Sequence, residues 1–199
     1  MKFINKFILA LLLSFNAQSL RGQGITLDGE IFEYATYYIS SFDLSTGATN
    51  VQIFRYQLSS DTYPAQLKIR FKASILSPVL GINSNLTIME VETDVFGLQA
   101  PIILDNRDIS SETSIIYDMD SPPNSIELTG RVIDTIDPSQ ADAVLQSIMA
   151  TGKIADGEYT FEVSILSEDD QVLVSDSKII LIQSPVSITL ESPAGVLSD

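Results

Sequence analysis

The sequence predicts an all-β fold, an antiparallel β-sandwich with one short helix at about residues 139–150. Three observations point to this class. Apolar and polar residues alternate along many short segments, turn-forming residues separate those segments, and a single segment shows helical spacing. Because successive side chains of a strand point to opposite sides of a sheet, each alternating segment predicts a strand with one buried side.

The clearest strands lie in the first half of the chain. Residues 52–58, 67–73 and 89–95 each carry apolar side chains at every second position. The apolar sets are Phe54, Tyr56 and Leu58, then Leu67, Ile69, Phe71 and Ala73, then Met89, Val91 and Val95. Further strands are predicted at Ile31–Phe42, Ser125–Ile133, Gly157–Leu166, Gln171–Val174 and Lys178–Ile182.

One segment has the signals of a helix. Asp137 suits the N-cap, Pro138 the first helical position and Gly152 the terminator, and apolar residues recur between them at helical spacing. We expect this helix to pack on an edge of the sandwich. The predicted domain covers residues 24–184, with a division near residue 95 as the alternative, and residues 185–199 form a linker or the start of another module.

The first 19 residues predict a secretory signal peptide. Lys2 and Lys6 precede an apolar run at residues 7–15, and the small residues Ala17 and Ser19 suit cleavage. The run is too short to cross a bilayer, so we expect no membrane span after cleavage. The mature protein is therefore expected in the periplasm, at the cell surface or outside the cell.

Composition restricts the chemistry. The chain has no His, Cys or Trp, which excludes His- and Cys-dependent catalysis and His- or Cys-ligated metals. Loss of Lys2 and Lys6 with the signal peptide would change the formal charge from −15 to −17. Such a surface repels nucleic acid. We expect no enzymatic activity and no obligatory cofactor.

Two charged triplets lie on the polar sides of two predicted strands. Lys68, Arg70 and Lys72 alternate along one strand, and Glu90, Glu92 and Asp94 alternate along the next. Antiparallel pairing would place the triplets opposite each other as a ladder of ion pairs. The alternative is that the basic triplet binds an acidic glycan or the carboxylates of a partner.

An aromatic set shares one side of residues 31–42. It consists of Phe32, Tyr34, Tyr38 and Phe42. Tyr34, Tyr38 and Phe42 are the candidate ligand-binding residues, because aromatic rings next to acidic groups suit a sugar or a protein partner. The alternative is that this side lines the core.

Acidic turns offer oxygen ligands for calcium. Asp118 and Asp120 are the best candidate pair, because the two prolines that follow stiffen their loop. Residues 105–108 and 168–170 are further acidic turns. The alternative is that these residues occupy turns for backbone reasons alone.

Residues 153–195 carry a family resemblance. The stretch Asp156-Gly157-Glu158-Tyr159-Thr160-Phe161 and the strand after it resemble a turn and strand of immunoglobulin-like and fibronectin type III-like modules in exported bacterial surface proteins. The resemblance implies an immunoglobulin-like β-sandwich in which Tyr159 bonds back to the preceding corner. It also implies a final strand at residues 171–182, bulged around residues 175–177, and a further module that starts near residue 188.

These inferences favour a non-catalytic structural or adhesive domain of the cell envelope or cell surface. The expected partners are other envelope proteins or glycans, and further modules of the same chain. The alternative function is a carbohydrate-binding module that uses the aromatic side of residues 31–42, with or without calcium.

Overall fold

The computed structural model describes residues 24–36, 43, 45–151 and 155–183. The predicted signal peptide and the tail from residue 184 onward lie outside these residues. The described strands and helix are β1 (Ile25–Ile31), β2 (Phe54–Ser60), β3 (Ala65–Ser77), β4 (Ile82–Thr93), β5 (Phe96–Leu98), β6 (Ile102–Asp105), β7 (Ser114–Tyr117), β8 (Ser125–Leu128), β9 (Gly130–Thr135), α1 (Pro138–Thr151), β10 (Gly157–Ser167) and β11 (Val172–Ile182).

The strands form antiparallel sheets, as the alternation predicts. The large sheet has the order β11-β10-β3-β4-β9, with β5 also pairing with β3. The small sheet has the order β1-β2-β6, and β7 and β8 form a two-stranded ribbon. One bridge, between Ile102 and Asp118, links this ribbon to β6.

The buried sides of the two sheets share one hydrophobic cluster. Phe54 of β2 contacts Phe71 of β3, with ring centroids 5.4 Å apart, and Phe71 contacts Phe161 of β10. The Tyr56 hydroxyl, also on β2, donates a hydrogen bond of 2.6 Å to Asp176 of β11. The small and large sheets are therefore joined by both apolar and polar contacts.

Both sheets contain strands from either side of residue 95. In the large sheet β3 lies between β4 and the much later β10, and in the small sheet β2 lies between β1 and β6. Both sheets therefore cross the alternative boundary near residue 95.

The predicted strand at Ile31–Phe42 is wrong in its described part. Strand β1 ends at Ile31, and residues 33–36 form a 3₁₀ turn. The amide of Ala35 donates to the Phe32 carbonyl, and Ala35 and Thr36 are both fully buried, which a half-buried strand does not allow. The aromatic residues satisfied the strand pattern, but the chain turns after Phe32.

The predicted strand at Ser125–Ile133 is two strands in different sheets. β8 ends at Leu128 and β9 begins at Gly130. The Gly130 amide donates to the Ser110 carbonyl oxygen, and a Cβ at Gly130 would lie 2.6 Å from that oxygen. The close approach requires glycine and turns the chain from one sheet to the other.

β11 is one strand, Val172–Ile182, as the resemblance implies for residues 171–182, so the two separate strands predicted at Gln171–Val174 and Lys178–Ile182 and the bulge at residues 175–177 are wrong. Ser175, Asp176 and Ser177 pair regularly with β10, and the register changes instead between Val172 and Val174. The predicted helix is confirmed as α1 at Pro138–Thr151, and its predicted terminator, Gly152, lies outside the described residues. The Asp137 side chain accepts from the Ser139 amide at its start, and Ala141 and Val144 are buried against residues that include Leu80, Ile82 and Leu86.

Tyr159 begins β10 as a buried anchor. Its hydroxyl donates a hydrogen bond of 2.9 Å to the carbonyl of Ala155, four residues earlier, and burial raises its pKa to about 12. A Cβ at Gly157 would lie 2.6 Å from the Leu76 carbonyl oxygen, so glycine permits the close contact of β10 with β3 at this end.

No helix among the described residues is long and apolar enough to cross a membrane.

Candidate functional site

The charged ladder lies on the outer side of the large sheet. Arg70 is opposite Glu92 and Lys72 is opposite Glu90, as the alternation predicts. The Arg70 Nε donates to Glu92 at 2.9 Å, and the Lys72 ammonium lies 3.0 Å from Glu90. Arg131 of β9 also reaches Glu92, at 3.1 Å. The hydrogen bond to Glu92 raises the pKa of Arg70 and keeps its positive charge.

The third predicted pair does not form. Strand β4 ends at Thr93, whose hydroxyl accepts a hydrogen bond from the Ile69 amide, and β3 then pairs with β5. Asp94 therefore lies beyond the ladder, and Lys68 pairs instead with Asp170. Each cation of the basic triplet has an acidic partner within the chain, so the triplet is not a free basic patch.

Asp118 shapes the loop between β7 and β8. It is buried, and its two carboxylate oxygens accept hydrogen bonds from the amide and the side chain of Asn124. These bonds hold the pKa of Asp118 below its usual value. Asp120 is exposed, and its amide also donates to Asp118. The proposed calcium pair is thus one loop-forming carboxylate and one surface carboxylate.

The other acidic turns also serve the backbone. Asp105 and Asp108 form a reciprocal cap on the short 3₁₀ turn of residues 106–108. Burial raises the pKa of Asp105, but hydrogen bonds from Arg107 outweigh it and the pKa is lowered overall. In the described part of the chain, no group of three or more acidic side chains is arranged to hold a metal ion.

An aromatic pair lies at the end of β1. The rings of Phe32 and Tyr34 stack with centroids 5.2 Å apart and planes within 8° of parallel. The side chain of Tyr34 is 42% exposed, so it is a surface residue rather than a core residue. Tyr38 and Phe42, the other two candidate ligand-binding residues, lie outside the described residues.

Beside this stack is an open depression of about 520 Å³, lined by Gly29, Glu30, Phe32 and Arg55. Glu30 and Arg55 face each other across β1 and β2, and both are exposed. Neither forms an ion pair with another described residue, so both charged groups are available to a ligand. We name this feature the aromatic depression.

A second cation, Arg107, lies close to Tyr34 of the aromatic stack. Asp105 lies opposite Arg55 in β6 and forms an ion pair with Arg107. The hydrogen bond to Asp105 raises the pKa of Arg107, and Asp108 and Tyr34 are close enough to raise it further. Aromatic, acidic and basic side chains therefore lie close together in this region.

Glu30 and Arg55 were not among the site residues predicted from the sequence. The signal was present, because Ile25, Leu27 and Ile31 alternate with Thr26, Asp28 and Glu30. A Cβ at Gly29 would lie 2.1 Å from the Arg55 carbonyl oxygen. Only glycine lets β1 come this close to β2, and the contact brings Glu30 beside Arg55.

Four large apolar side chains are also exposed near the bridge between β6 and β7. We name them the apolar cluster: Ile103, Ile115, Tyr117 and Met119, each between 41% and 62% exposed. The antiparallel bridge at Ile102 and Asp118 brings Ile103 alongside Tyr117 in the register. Exposed apolar clusters of this kind are typical of protein contact surfaces.

No protein-family model, curated protein sequence or solved structure matches this chain significantly. The arrangement at the aromatic depression can hold a ligand by stacking, by hydrogen bonds and by charge. It offers a contact surface of half-exposed rings and unpaired charged groups.

Proposed function

We propose that this protein is a non-catalytic structural or adhesive domain, exported to the cell envelope or cell surface, which contacts its partner through the aromatic depression. The observation that carries this proposal is the stacked Phe32–Tyr34 pair beside Glu30 and Arg55, neither of which forms an ion pair with another described residue. Tyrosine and arginine are the residues that most often dominate binding energy at protein interfaces.

The distribution of charge supports contact rather than catalysis. Six of the seven ion pairs among the described residues join residues far apart in the sequence, and the seventh lies in a cap. Glu92 accepts from both Arg70 and Arg131. Such pairing commits these side chains to structure. Glu30 is the one carboxylate among the residues that line the depression, whereas catalysis by two carboxylates needs a pair at a fixed separation.

The location and the module type are parts of the same proposal. The apolar run after Lys2 and Lys6 supports export. The hydrogen bond from the Tyr159 hydroxyl to Ala155 supports an immunoglobulin-like or fibronectin type III-like module, because it is the backbone contact that the resemblance implies.

A carbohydrate ligand is the second candidate for the same depression. The near-parallel stack presents a flat apolar surface, and Glu30 and Arg55 offer hydrogen-bonding groups at its border. Sugars bind proteins through this combination of an aromatic surface and polar groups. Because a glycan and a protein would use the same depression, an experiment must distinguish the two partners.

The test uses the mature chain and two variants. In the Tyr34→Ala/Arg55→Ala double variant both side chains are exposed, so we expect an unchanged melting temperature. Tyr117→Ala is the matched control, since Tyr117 is an exposed tyrosine on a strand that does not line the depression. Each protein is immobilised and incubated with solubilised envelope proteins and, separately, with a glycan array.

We expect the proteins or glycans retained by the mature chain to be lost with the double variant and kept with Tyr117→Ala. Retention of glycans alone would favour the carbohydrate candidate. Equal retention by all three proteins would refute a role for the aromatic depression. Loss with Tyr117→Ala only would move the contact surface to the apolar cluster.

A further inference from the structure

The outer side of the large sheet contains a second concave feature. The aromatic depression, in contrast, is lined by residues of β1 and β2 in the small sheet and by Phe32. The second feature has a volume of about 260 Å³ and spans three adjacent strands, β4, β3 and β10. We name it the polar hollow. Its lining residues are Lys72, Ser74, Asn85, Thr87, Thr160 and Glu162.

A β-bulge explains why the hollow exists. Ala73 pairs with Met89 and Ser74 pairs with Thr87, so Ile88 is an extra residue in β4. Ile88 and Met89 are both buried, although neighbours in a regular strand point to opposite sides. The outward side chains of β4 therefore pass from Thr87 directly to Glu90, and the position between them carries no outward side chain.

The uncharged side chains around the gap leave their polar groups available within the described part of the chain. The hydroxyls of Ser74, Thr87 and Thr160 and the amide of Asn85 make no side-chain hydrogen bond with any described residue. Ser74 and Thr160 lie opposite each other in β3 and β10, and Thr87 lies opposite Ser74 in β4. Three hydroxyls thus form a row across three strands, with donors and acceptors available to a ligand.

The charged groups at the border are already committed. The Lys72 ammonium lies 3.0 Å from Glu90, and the Glu162 carboxylate accepts a hydrogen bond of 2.9 Å from the Ser164 hydroxyl. An anionic ligand would be repelled by the carboxylates of Glu90 and Glu162 and by the net charge of the chain, which is −15. An apolar ligand would find no apolar side chain among the six lining residues. A neutral ligand with many hydroxyl groups suits the hollow best.

We propose that the polar hollow binds a single neutral sugar residue through Ser74, Thr87 and Thr160. Small-molecule sites usually occupy about 300–1,000 Å³, so a hollow slightly below that range suits one sugar unit rather than an extended chain. The site is separate from the aromatic depression and does not depend on the proposed function. It gives the large sheet a ligand-binding role, whereas the proposed function involves only the aromatic depression.

The test is a titration of the isotope-labelled mature chain with neutral monosaccharides, followed by NMR. The probes are glucose, galactose, mannose, fucose and N-acetylglucosamine, with glucuronic acid as the anionic comparison. We expect at least one neutral sugar to shift the amide signals of Ser74, Thr87 and Thr160. Substitution Thr87→Val or Thr160→Val removes one hydroxyl at nearly constant shape and should weaken binding about fivefold.

Thr26→Val is the matched control, since Thr26 is an exposed threonine of β1 in the small sheet and should leave binding unchanged. Melting temperatures of all three variants establish that they are folded. The proposal is overturned if no neutral sugar causes shifts, if glucuronic acid alone binds, or if the two hollow variants bind as the mature chain does. Shifts confined to Phe32, Tyr34 and Arg55 would overturn it while supporting a glycan at the aromatic depression.

Discussion

Glu92 is the most constrained charged residue described in the structure. Its side chain is only 3% exposed, and it accepts hydrogen bonds from Arg70 and Arg131 on the two neighbouring strands. A buried carboxylate is stable only when such partners replace the water it has lost. Glu92 therefore joins β3, β4 and β9, whereas most surface ion pairs contribute little.

Replacing Glu92 by Gln tests this role. The amide retains the shape but loses the charge, so two guanidinium groups lose their charged acceptor. We expect the free energy of unfolding to fall by about 1.5–3 kcal/mol, the usual contribution of hydrogen bonds to charged groups, as measured by urea denaturation. The control is Glu33→Gln, because Glu33 is 85% exposed and lies 3.6 Å from Lys178. Equal losses in the two variants would contradict the argument.

At this scale the sequence predicted pairs better than it predicted surfaces. The pairing of Arg70 with Glu92 followed from alternation alone, because residues opposite each other in a register share a side of the sheet. Lys68 and Asp94 failed because the Thr93 hydroxyl replaces a strand hydrogen bond and ends β4. A side-chain hydrogen bond of this kind leaves no periodic pattern in the sequence, so the end of β4 could not be predicted. The alternation around Glu30 indicates a strand but not its partner, so the position of Glu30 opposite Arg55 was not predictable.

At the scale of elements, strands with strict alternation were predictable and changes of direction were not. β2, β3 and β10 bury the side that their pattern predicts. The break between β8 and β9 depends on Ser110, which lies in a distant loop and contacts Gly130. The bulge at Ile88 likewise depends on the register of β3. The polar hollow is a product of that register and was not predictable.

The loop between β7 and β8 gives a prediction of pH dependence. Its central carboxylate, Asp118, has a pKa lowered from 3.8 by hydrogen bonds from Asn124. A folded-state pKa below the unfolded value means that the ionised form stabilises the fold. This stabilisation is complete above about pH 4 and is lost as the pH falls through the lowered pKa.

We therefore expect Asp118→Asn to be less stable than the natural chain at neutral pH, with a difference that shrinks below about pH 4. Urea denaturation at a series of pH values measures this difference. Asp120→Asn is the control, because Asp120 is exposed and only its amide takes part in the loop. A difference for Asp118→Asn that is independent of pH would show that the carboxylate does not act through its charge.

At the scale of the whole molecule, the described sheets depend on each other. Tyr56 of the small sheet donates to Asp176 of the large sheet, and the Lys178 ammonium donates to the Ile31 carbonyl at 3.0 Å. Both contacts join β11, the last of the described strands, to β1 and β2. The aromatic depression and the polar hollow lie on strands held together by these contacts, so each surface depends on residues far apart in the chain.

This mutual dependence predicts a single unfolding transition. If residues 24–95 and 96–183 were separate domains, each fragment would fold alone. In the structure β3 pairs with β10, β5 and β4, so the first fragment loses two of three partners of its longest strand. We expect each isolated fragment to give a far-UV circular dichroism spectrum of an unfolded chain. The intact chain should give coincident urea transitions by circular dichroism and tyrosine fluorescence. A sheet that crosses residue 95 cannot persist in half of the chain. Two separate transitions, or one fragment that unfolds cooperatively, would therefore contradict a single folding unit and support the division near residue 95.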